Sequence, residues 1–442
     1  MVGSKYNYFV PNGSEIICLN GISHKIFSVS KDSYDYLIKL IENKNREQEK
    51  DKEITELLTK MHFLVENTVD ETNYFLKRKY DDMHSSLFHL VINPTQDCIF
   101  RCWYCYESHK HSKMSVEITN RIKKLALNIL KRNDIEEFML SWFGGEPLMY
   151  FDSVVYPLSV FIKNETEQLG KKFKCNMTTN GFLLTKELVK KCAEIGLNSL
   201  QVTLDGDEKQ HDKTRNCNGK PSFKKILANC IYYCSYSSCN QLILRINYTD
   251  EIIKTDFSKV LECIPESVRP QIEILFKRVW QTYGQKEKKT PDGLLENMEK
   301  LHKMNFKMAD RSDFQFISGC LCYADRINYA NINFDGNIYR CTAMDYNVQN
   351  SFGTLNEEGE IIWDEKKLQN IDNNPYIHDT KCIECKLLPL CGGPCFMRKY
   401  QFLTQNTDYC KKEILDTGLE EFVKNLYRKI SQARLNSNKL FT

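Results

Sequence analysis

The sequence predicts an α/β protein: a partial (β/α)6, TIM-like barrel, preceded by a small α+β, winged-helix-like unit and followed by a cysteine-rich domain. Three observations carry this. Six apolar strand-like runs between residues 87 and 276 alternate with amphipathic stretches of helical period. Short β-like runs and two helical patterns crowd residues 1–82, and eleven of the nineteen cysteines fall into two groups, Cys98 to Cys105 and Cys320 to Cys410. An open doubly wound sheet would show the same alternation of strand and helix, so strand order is what separates the two architectures.

The first unit opens with the runs Tyr6–Val10, Glu15–Leu19 and Lys25–Val29. Ser30 is placed to cap a helix on which Tyr34, Leu37, Ile38 and Ile41 fall at i, i+3, i+4 and i+7. Ile54, Leu57, Leu58 and Met61 repeat the spacing, Phe63, Leu64 and Val65 add a strand-like run, and the charged stretch Lys77–Asp82 is expected to separate this unit from the rest.

The barrel, assigned to residues 83–285, has strand-like runs at Leu87–Ile92, Phe138–Phe143, Phe173–Met177, Ser199–Leu204, Leu242–Tyr248 and Gln271–Phe276. Helix-length stretches such as Ser115–Leu130 and Thr185–Ile195 lie between them. In such architectures the active site assembles at the C-terminal ends of the strands. A helical bridge over 286–315, a cysteine-rich domain over 316–412 and a tail over 413–442 complete the chain; the tail carries Leu419, Phe422, Val423 and Leu426 on one helical face.

With 61 basic and 58 acidic side chains the formal charge is +3, which leaves no electrostatic footprint for a nucleic acid partner. No window reaches the roughly 18 apolar residues of a membrane span, and Met1 to Phe9 lacks the apolar core of a signal peptide, so a cytoplasmic location is expected. In that compartment thiols stay reduced, and metal or cluster ligation is the better reading of so many cysteines. The scattered ones (Cys18, Cys175, Cys192, Cys217, Cys230, Cys234, Cys239 and Cys263) read as small buried hydrophobes.

After the first barrel strand, Cys98, Cys102 and Cys105 form a C-x3-C-x2-C loop. Three thiolates can hold three corners of a cubane iron-sulfur cluster and leave the fourth iron open for chemistry. A zinc site with His109 as fourth ligand is the alternative. One strand later stands Trp142-Phe143-Gly144-Gly145-Glu146-Pro147, where glycines permit close backbone approach and Glu146 can accept from an ammonium group. The next three strands end in Thr178-Thr179-Asn180-Gly181, Thr203-Leu204-Asp205-Gly206 and Arg245-Ile246-Asn247; turn roles are an alternative for each of these polar residues.

The cysteine loop, with Tyr104 before its last cysteine, resembles the cluster motif of the radical S-adenosylmethionine (SAM) superfamily. Gly144, Gly145, Glu146 and Pro147 resemble that family's segment for the methionine amino group. The resemblance implies that Cys98, Cys102 and Cys105 hold a 4Fe-4S cluster whose open iron is chelated by SAM, and that Glu146 orients SAM. It further implies that Tyr104, Thr179, Asn180, Thr203 and Asn247 line the cofactor. In that family, reductive cleavage of SAM yields a 5′-deoxyadenosyl radical that abstracts a substrate hydrogen, which implies oxygen sensitivity and an external one-electron donor of flavodoxin or ferredoxin type.

The second group runs Cys382-x2-Cys385-x5-Cys391-x3-Cys395, then Cys410, and is preceded by Cys320, Cys322 and Cys341. Eight thiolates suffice for two four-cysteine clusters, although paired knuckles also suit a zinc ribbon. The spacing resembles the SPASM domain, which binds auxiliary 4Fe-4S clusters in radical SAM enzymes that modify peptides and proteins. The resemblance assigns Cys320, Cys322, Cys341 and Cys395 to one auxiliary cluster and Cys382, Cys385, Cys391 and Cys410 to the other, making three clusters in all. Cys320 lies closer to Cys322 than expected, which leaves open an unligated iron on the first auxiliary cluster.

Two family readings compete. Anaerobic sulfatase-maturating enzymes share both cluster domains, but they begin near the cysteine loop and place an acidic base directly after the cysteine that here is Cys341. This chain has residues 1–86 before its barrel and Thr342 after Cys341, with Asp345 close by. Maturases of ribosomally made peptides carry a small recognition module, which the segment from Leu19-Asn20-Gly21 to Phe63-Leu64-Val65 resembles. This implies a precursor peptide whose leader adds to a strand edge, with a structural cap on the barrel as the alternative. The sequence names no general base or hydrogen donor and does not identify the modification. A reading of another class, a zinc-stabilised non-catalytic binding protein, finds no use for Gly144 to Pro147 in register with the cysteine loop.

Overall fold

The computed structural model describes residues 1–42, 49–279, 281, 293–309, 322–372, 380–405, 410, 419–420, 422–424, 426–428 and 430–431. Cys320 lies outside these residues, as do parts of the bridge and much of the tail. The N-terminal unit pairs β1 (Val2–Gly3) with β5 (Leu64–Val65) and forms a three-stranded antiparallel sheet from β2 (Asn7–Asn12), β3 (Glu15–Asn20) and β4 (Ile26–Ser30). Ser30 Oγ accepts the Ser33 N–H and opens the helix Lys31–Ile41, which the helix Glu49–Lys60 follows. One sheet face packs Ile16 and Cys18 against Leu37, Leu58 and Phe63. The other packs Tyr8, Val10, Ile17, Leu19 and Ile26 against Leu387, Leu390 and the tail residues Phe422, Val423 and Leu426.

Lys77–Asp82 is no separator. It forms the last turns of a third helix, Glu71–Met83, whose N-terminus Asp70 caps. Lys79 is buried there and its Nζ donates to the Gly392 carbonyl at 2.8 Å. A lysine stem can cover apolar surface while its ammonium finds a buried acceptor, and a run of charges read along the sequence does not reveal that.

Six parallel strands follow: β6 (Leu87–Ile92), β7 (Glu137–Trp142), β8 (Lys172–Thr179), β9 (Leu197–Leu204), β10 (Gln241–Tyr248) and β11 (Ile272–Arg278). Each pairs with the next in strict sequence order. A doubly wound sheet reverses its order at a switch point; this one does not, so the partial barrel is the architecture. Ser115 and Thr185 cap the crossover helices Val116–Leu130 and Lys186–Glu194. Leu90, Leu140, Leu200, Leu244 and Ile274 sit in the core beneath them, as strands covered on both faces require.

The sheet also extends beyond the barrel. β12 (Lys307–Met308) adds to β11, while β13 (Tyr329–Ile332) pairs in parallel with β6 and continues into β14 (Asn337–Tyr339), β15 (Gly353–Leu355) and β16 (Ile361–Trp363). Strands of two to four residues are too short for an alternation to be read, yet these fuse the cysteine-rich region to the first barrel strand. Of the scattered cysteines, Cys18, Cys175, Cys192, Cys230 and Cys234 are buried and Cys217 is half-buried. Cys239 and Cys263 depart from the expectation: both stand exposed in turns, off any apolar face. No helix among the described residues is long and apolar enough to cross a membrane.

Candidate active site at the barrel mouth

β6 ends at Ile92, and the cysteine loop passes over the C-terminal edge of the barrel. Phe100 anchors it, buried edge-on against Phe182 and beneath the Arg215 guanidinium. Cys98 and Cys102 are half-buried and Cys105 is exposed. Donors approach two of the sulfurs, with Asn180 Nδ2 3.7 Å from Cys98 Sγ and Arg215 Nη1 3.5 Å from Cys102 Sγ, and His109 Nε2 lies 3.2 Å from Cys105 Sγ. Burial pushes the Cys98 thiol up to about 12, with the nearby Glu146 adding to the rise, and a thiol in that position gives up its proton to a bound metal. Among the described residues no three His, Cys, Asp or Glu side chains converge on a single ion position. A cubane does not ask for that, because each thiolate serves its own iron. Thiols fronted by hydrogen-bond donors fit such a cluster.

The Gly144-Gly145 pair lies directly on this loop. Gly144 has φ +79°, and a Cβ there would stand 2.8 Å from the Thr95 carbonyl oxygen; at Gly145 it would stand 2.0 Å from that of Asp97. Gly145 N–H donates to Glu107 at 2.8 Å and Glu146 N–H to the Asp97 carbonyl at 2.8 Å. Glu146 itself is fully buried, accepting from Thr179 Oγ1 (2.7 Å), Leu148 N–H (2.9 Å) and Asn180 N–H (2.7 Å). Its carboxyl is raised by burial, against the pull of these donors. Glu146 caps the short turn Pro147–Tyr150, which Pro147 opens, and so ties the end of β7 to that of β8. A carboxylate offers about four lone-pair sites, so three donors leave acceptor capacity.

A second constellation spans the ends of β9 and β10. The Tyr104 hydroxyl donates to Asp205 and accepts from Arg215 Nη1 (2.9 Å) and Asn247 Nδ2 (3.1 Å). Asn247 Oδ1 accepts from Arg245 Nε at 2.8 Å, and Gln281 Nε2 reaches the Tyr104 carbonyl at 2.6 Å. Thr203 is buried at the same level, opposite Arg245 in the β9–β10 register. Asp205 is 1% exposed, and neither its Oδ1 nor Arg215 Nε has a hydrogen-bond partner among the described residues. Buried polar atoms left open in this way are where a ligand completes a site. Burial raises the Asp205 carboxyl against the opposing charge of Arg215. Asp205, Arg245 and Glu107 stand next to residues that the sequence singled out. Arg215 follows the helix Glu208–Thr214, where no spacing flags it.

His211 positions this constellation. Its Nδ1 accepts the Asp205 N–H at 3.2 Å, so the proton sits on Nε2, which donates to Ser222 Oγ at 3.0 Å; Ser222 Oγ in turn donates to the Arg215 carbonyl. Burial pushes His211 down to about 3, and the equally buried His89 to about 3. The folded protein therefore binds fewer protons than the unfolded chain between about pH 3 and the ordinary 6.5. The stability these neutral histidines contribute is complete above that window and falls as pH drops through it, by up to about 1.4 kcal/mol per pH unit for each. Urea unfolding at pH 7.5 and 5.5 should show the lower stability at 5.5; equal midpoints would contradict the assignment.

The C-terminal cysteines sort by neighbourhood. Cys322 and Cys341 share an apolar cluster with Tyr339, Met344, Phe352 and Phe396. Burial, then the charges of Cys322 and Cys395, hold the Cys341 thiol above its ordinary range, which places all three close together. Cys385 and Cys391 pack beside Tyr8 of the N-terminal sheet, Cys382 packs with Phe75 and Leu388, and Cys410 is exposed. The two cysteine regions also meet. Tyr106 Oη donates to the Thr342 carbonyl at 2.7 Å, and Ser108 donates through N–H (3.1 Å) and Oγ (2.9 Å) to Asp345 Oδ1. Between them, burial pushes the Glu107 carboxyl up to about 7, with the Gly145 N–H working against it.

Comparison with known proteins agrees with this geometry. Residues 92–260 match the Radical SAM superfamily. Fe-coproporphyrin III synthase of Methanosarcina barkeri is 24% identical over 345 residues, covering 69% of this chain and 82% of that protein. The solved structure of native anSMEcpe with bound AdoMet and Cp18Cys peptide is similar with a TM-score of 0.55 at 17% identity, over 80% of this chain and 100% of the other. Streptococcus suis SuiB bound to precursor peptide SuiA gives 0.51 at 16% identity, over 89% and 95%. At these identities the structural likeness speaks for the fold. The matched span begins where β6 ends and takes in the cysteine loop together with Glu146, Asp205, Arg215 and Asn247. Residues 92–260 of this chain thus carry a Radical SAM superfamily domain.

Proposed function

We propose that the enzyme is a SPASM-type peptide maturase that abstracts hydrogen from a residue of a ribosomally made precursor peptide, installing a crosslink, a thioether or an epimerised centre. The observation that carries this is the seam at which Tyr106 and Ser108 of the cysteine loop meet Thr342 and Asp345 of the cysteine-rich region. Chemistry at the loop is thereby set beside a second thiol-rich site. The two structural neighbours solved with peptides, anSMEcpe and SuiB, support a peptide substrate.

In this reading Cys98, Cys102 and Cys105 hold the cluster that binds SAM, which together supply a 5′-deoxyadenosyl radical. Glu146 orients the SAM amino group from its buried position. Arg215 Nε and Asp205 Oδ1 offer an open donor and an open acceptor to the SAM carboxylate and hydroxyls, and Tyr104, Thr179, Asn180, Thr203 and Asn247 line the same mouth. Cys322, Cys341, Cys395 and Cys320 hold one auxiliary 4Fe-4S cluster, and Cys382, Cys385, Cys391 and Cys410 the other. Residues 1–82 recognise the leader; because both faces of the β2–β3–β4 sheet are covered, an added strand joins at the β2 or β4 edge. A cytoplasmic location suits thiolates that hold clusters, and there an acidic flavodoxin or ferredoxin would supply the electron. Sulfatase-type maturation is the second reading, favoured by the reach of Asp345 to the cysteine loop.

Anaerobically reconstituted protein should contain about twelve irons with matching sulfide and no zinc. About four irons with zinc would reduce the C-terminal region to a scaffold, and zinc alone, without SAM cleavage, would leave the zinc-stabilised binding protein.

A further inference from the structure

Lysine side chains as a rule keep their ammonium in water, so a buried lysine needs a reason in its surroundings. Two such lysines meet in the cysteine-rich region. Lys79 is 6% exposed and Lys399 8% exposed, and both line one small pocket together with Cys382, Leu388 and the turn at Gly392 and Gly393. They come from distant parts of the chain. Lys79 stands one turn after Phe75 on the helix Glu71–Met83, and Phe75 packs against Cys382 and Leu388. Lys399 lies on the helix Phe396–Gln405, directly after Cys395, whose carbonyl accepts the Lys399 N–H at 3.1 Å.

Both ammoniums are held against the cysteine turns. Lys79 Nζ donates to the Gly392 carbonyl at 2.8 Å, and a Cβ added at Gly393 would lie 3.8 Å from it. Gly392 and Gly393, at φ +69° and +77°, make the turn that leads from Cys391 to Cys395. Lys399 Nζ lies 3.9 Å from Asp325 Oδ1, and the Asp325 N–H donates to the Cys322 carbonyl at 2.9 Å. The thiols beside the pocket fit a cluster. Cys385 N–H donates to the Cys382 carbonyl at 3.1 Å and Cys391 N–H to the Leu387 carbonyl at 2.8 Å, so consecutive turns wind all three cysteines onto one compact segment. A 4Fe-4S cluster on four thiolates is a net anion, and reduction adds to its charge. Its potential follows net charge, hydrogen bonding and solvent exposure. A buried cation close by lowers the cost of the added electron, because the protein interior screens the attraction weakly.

We propose that Lys79 and Lys399 compensate the charge of the auxiliary cluster on Cys382, Cys385, Cys391 and Cys410, stabilising its reduced form and holding its reduction potential up. The proposal rests on the auxiliary-cluster reading of this region. It gives the helix Glu71–Met83 a second task besides packing: it carries a positive charge from the N-terminal unit into the wall of the cluster site. Lys79 is the sharper probe of the two, because its ammonium contacts the cysteine turn itself, whereas Lys399 also answers to Asp325.

The test is an EPR-monitored redox titration of the reconstituted holoenzyme and its Lys79→Met, Lys79→Gln and Lys79→Arg variants, with iron per chain counted for each. The signal that changes on adding SAM belongs to the cluster at the barrel mouth and serves as the internal control. One SAM-insensitive signal is expected to move to lower potential in Lys79→Met and Lys79→Gln, by about tenfold or more in its reduction equilibrium, which is about 59 mV for one electron. In Lys79→Arg it should stay near wild type. Glutamine keeps a donor for the Gly392 carbonyl, so a shift in that variant separates charge from hydrogen bonding. Neutral variants that lose about four irons while Lys79→Arg keeps them also support the proposal, since the charge then holds the cluster itself. Wild-type potentials in both neutral variants overturn it. An equal shift, or an equal loss of iron, in Lys79→Arg overturns it too, because the side chain would then be a packing support. Wild-type protein with about four irons and no SAM-insensitive signal would sink the auxiliary-cluster reading, and the proposal with it.

Discussion

Replacing Cys98 with Ala is expected to abolish 5′-deoxyadenosine formation while about eight of about twelve irons remain bound. Cys98 is half-buried in a loop, so the substitution removes little packing from the barrel core. What it removes is one of three thiols, the one fronted by Asn180 and held beside the Glu146 junction. The cysteines around Cys341 and those beside Tyr8 belong to other apolar clusters and should keep their metal. The measurement is the nucleoside product together with iron and sulfide per chain. SAM cleavage persisting in the variant would show that the site is assigned to the wrong thiols.

A single methyl at Gly145 should be nearly as damaging. A Cβ there meets the Asp97 carbonyl oxygen at 2.0 Å, its carbon at 2.6 Å and the Gln96 carbonyl carbon at 2.7 Å. All three are backbone atoms with no rotamer to escape into, so the two loops must part. Parting strains the hydrogen bonds from Gly145 to Glu107 and from Glu146 to Asp97. Overpacking together with two weakened bonds costs about 2 to 6 kcal/mol, and the cysteine loop should lose its cluster first. Gly170→Ala is the control: its φ is +67° but nothing lies within 4 Å of the added carbon, so only the backbone penalty of about 1 to 2 kcal/mol applies. Denaturant unfolding of both variants, with iron content, checks this; a Gly145→Ala protein with wild-type stability and iron would show that the loops have room to move.

Several features were misread or invisible along the chain for a common reason. Lys77–Asp82 looked like a boundary because its charges were read without their partners, and one of them, Lys79, meets a carbonyl some three hundred residues away. Arg215 and His211 lie on a crossover, away from the strand ends where polar residues draw attention, and acquire their roles only from Tyr104, Asp205 and Ser222.

By itself the sequence determined the order of the six barrel strands' segments, the helix cap at Ser30, the helix-length stretches that begin at Ser115 and Thr185, the two cysteine groups and the Gly144 to Pro147 segment. Each is written within a few neighbouring residues, as a hydrophobic period, a capping side chain or a ligand spacing. The tertiary structure decided that the strands pair in sequence order, that β13 joins β6 and brings Cys341 to the cysteine loop, and that the N-terminal sheet packs on Leu387 and Leu390. It also decided which buried polar atoms are satisfied and which, like Asp205 Oδ1 and Arg215 Nε, are left open. Burial and hydrogen-bond satisfaction are properties of pairs, and when the partners lie hundreds of residues apart only the folded chain brings them together.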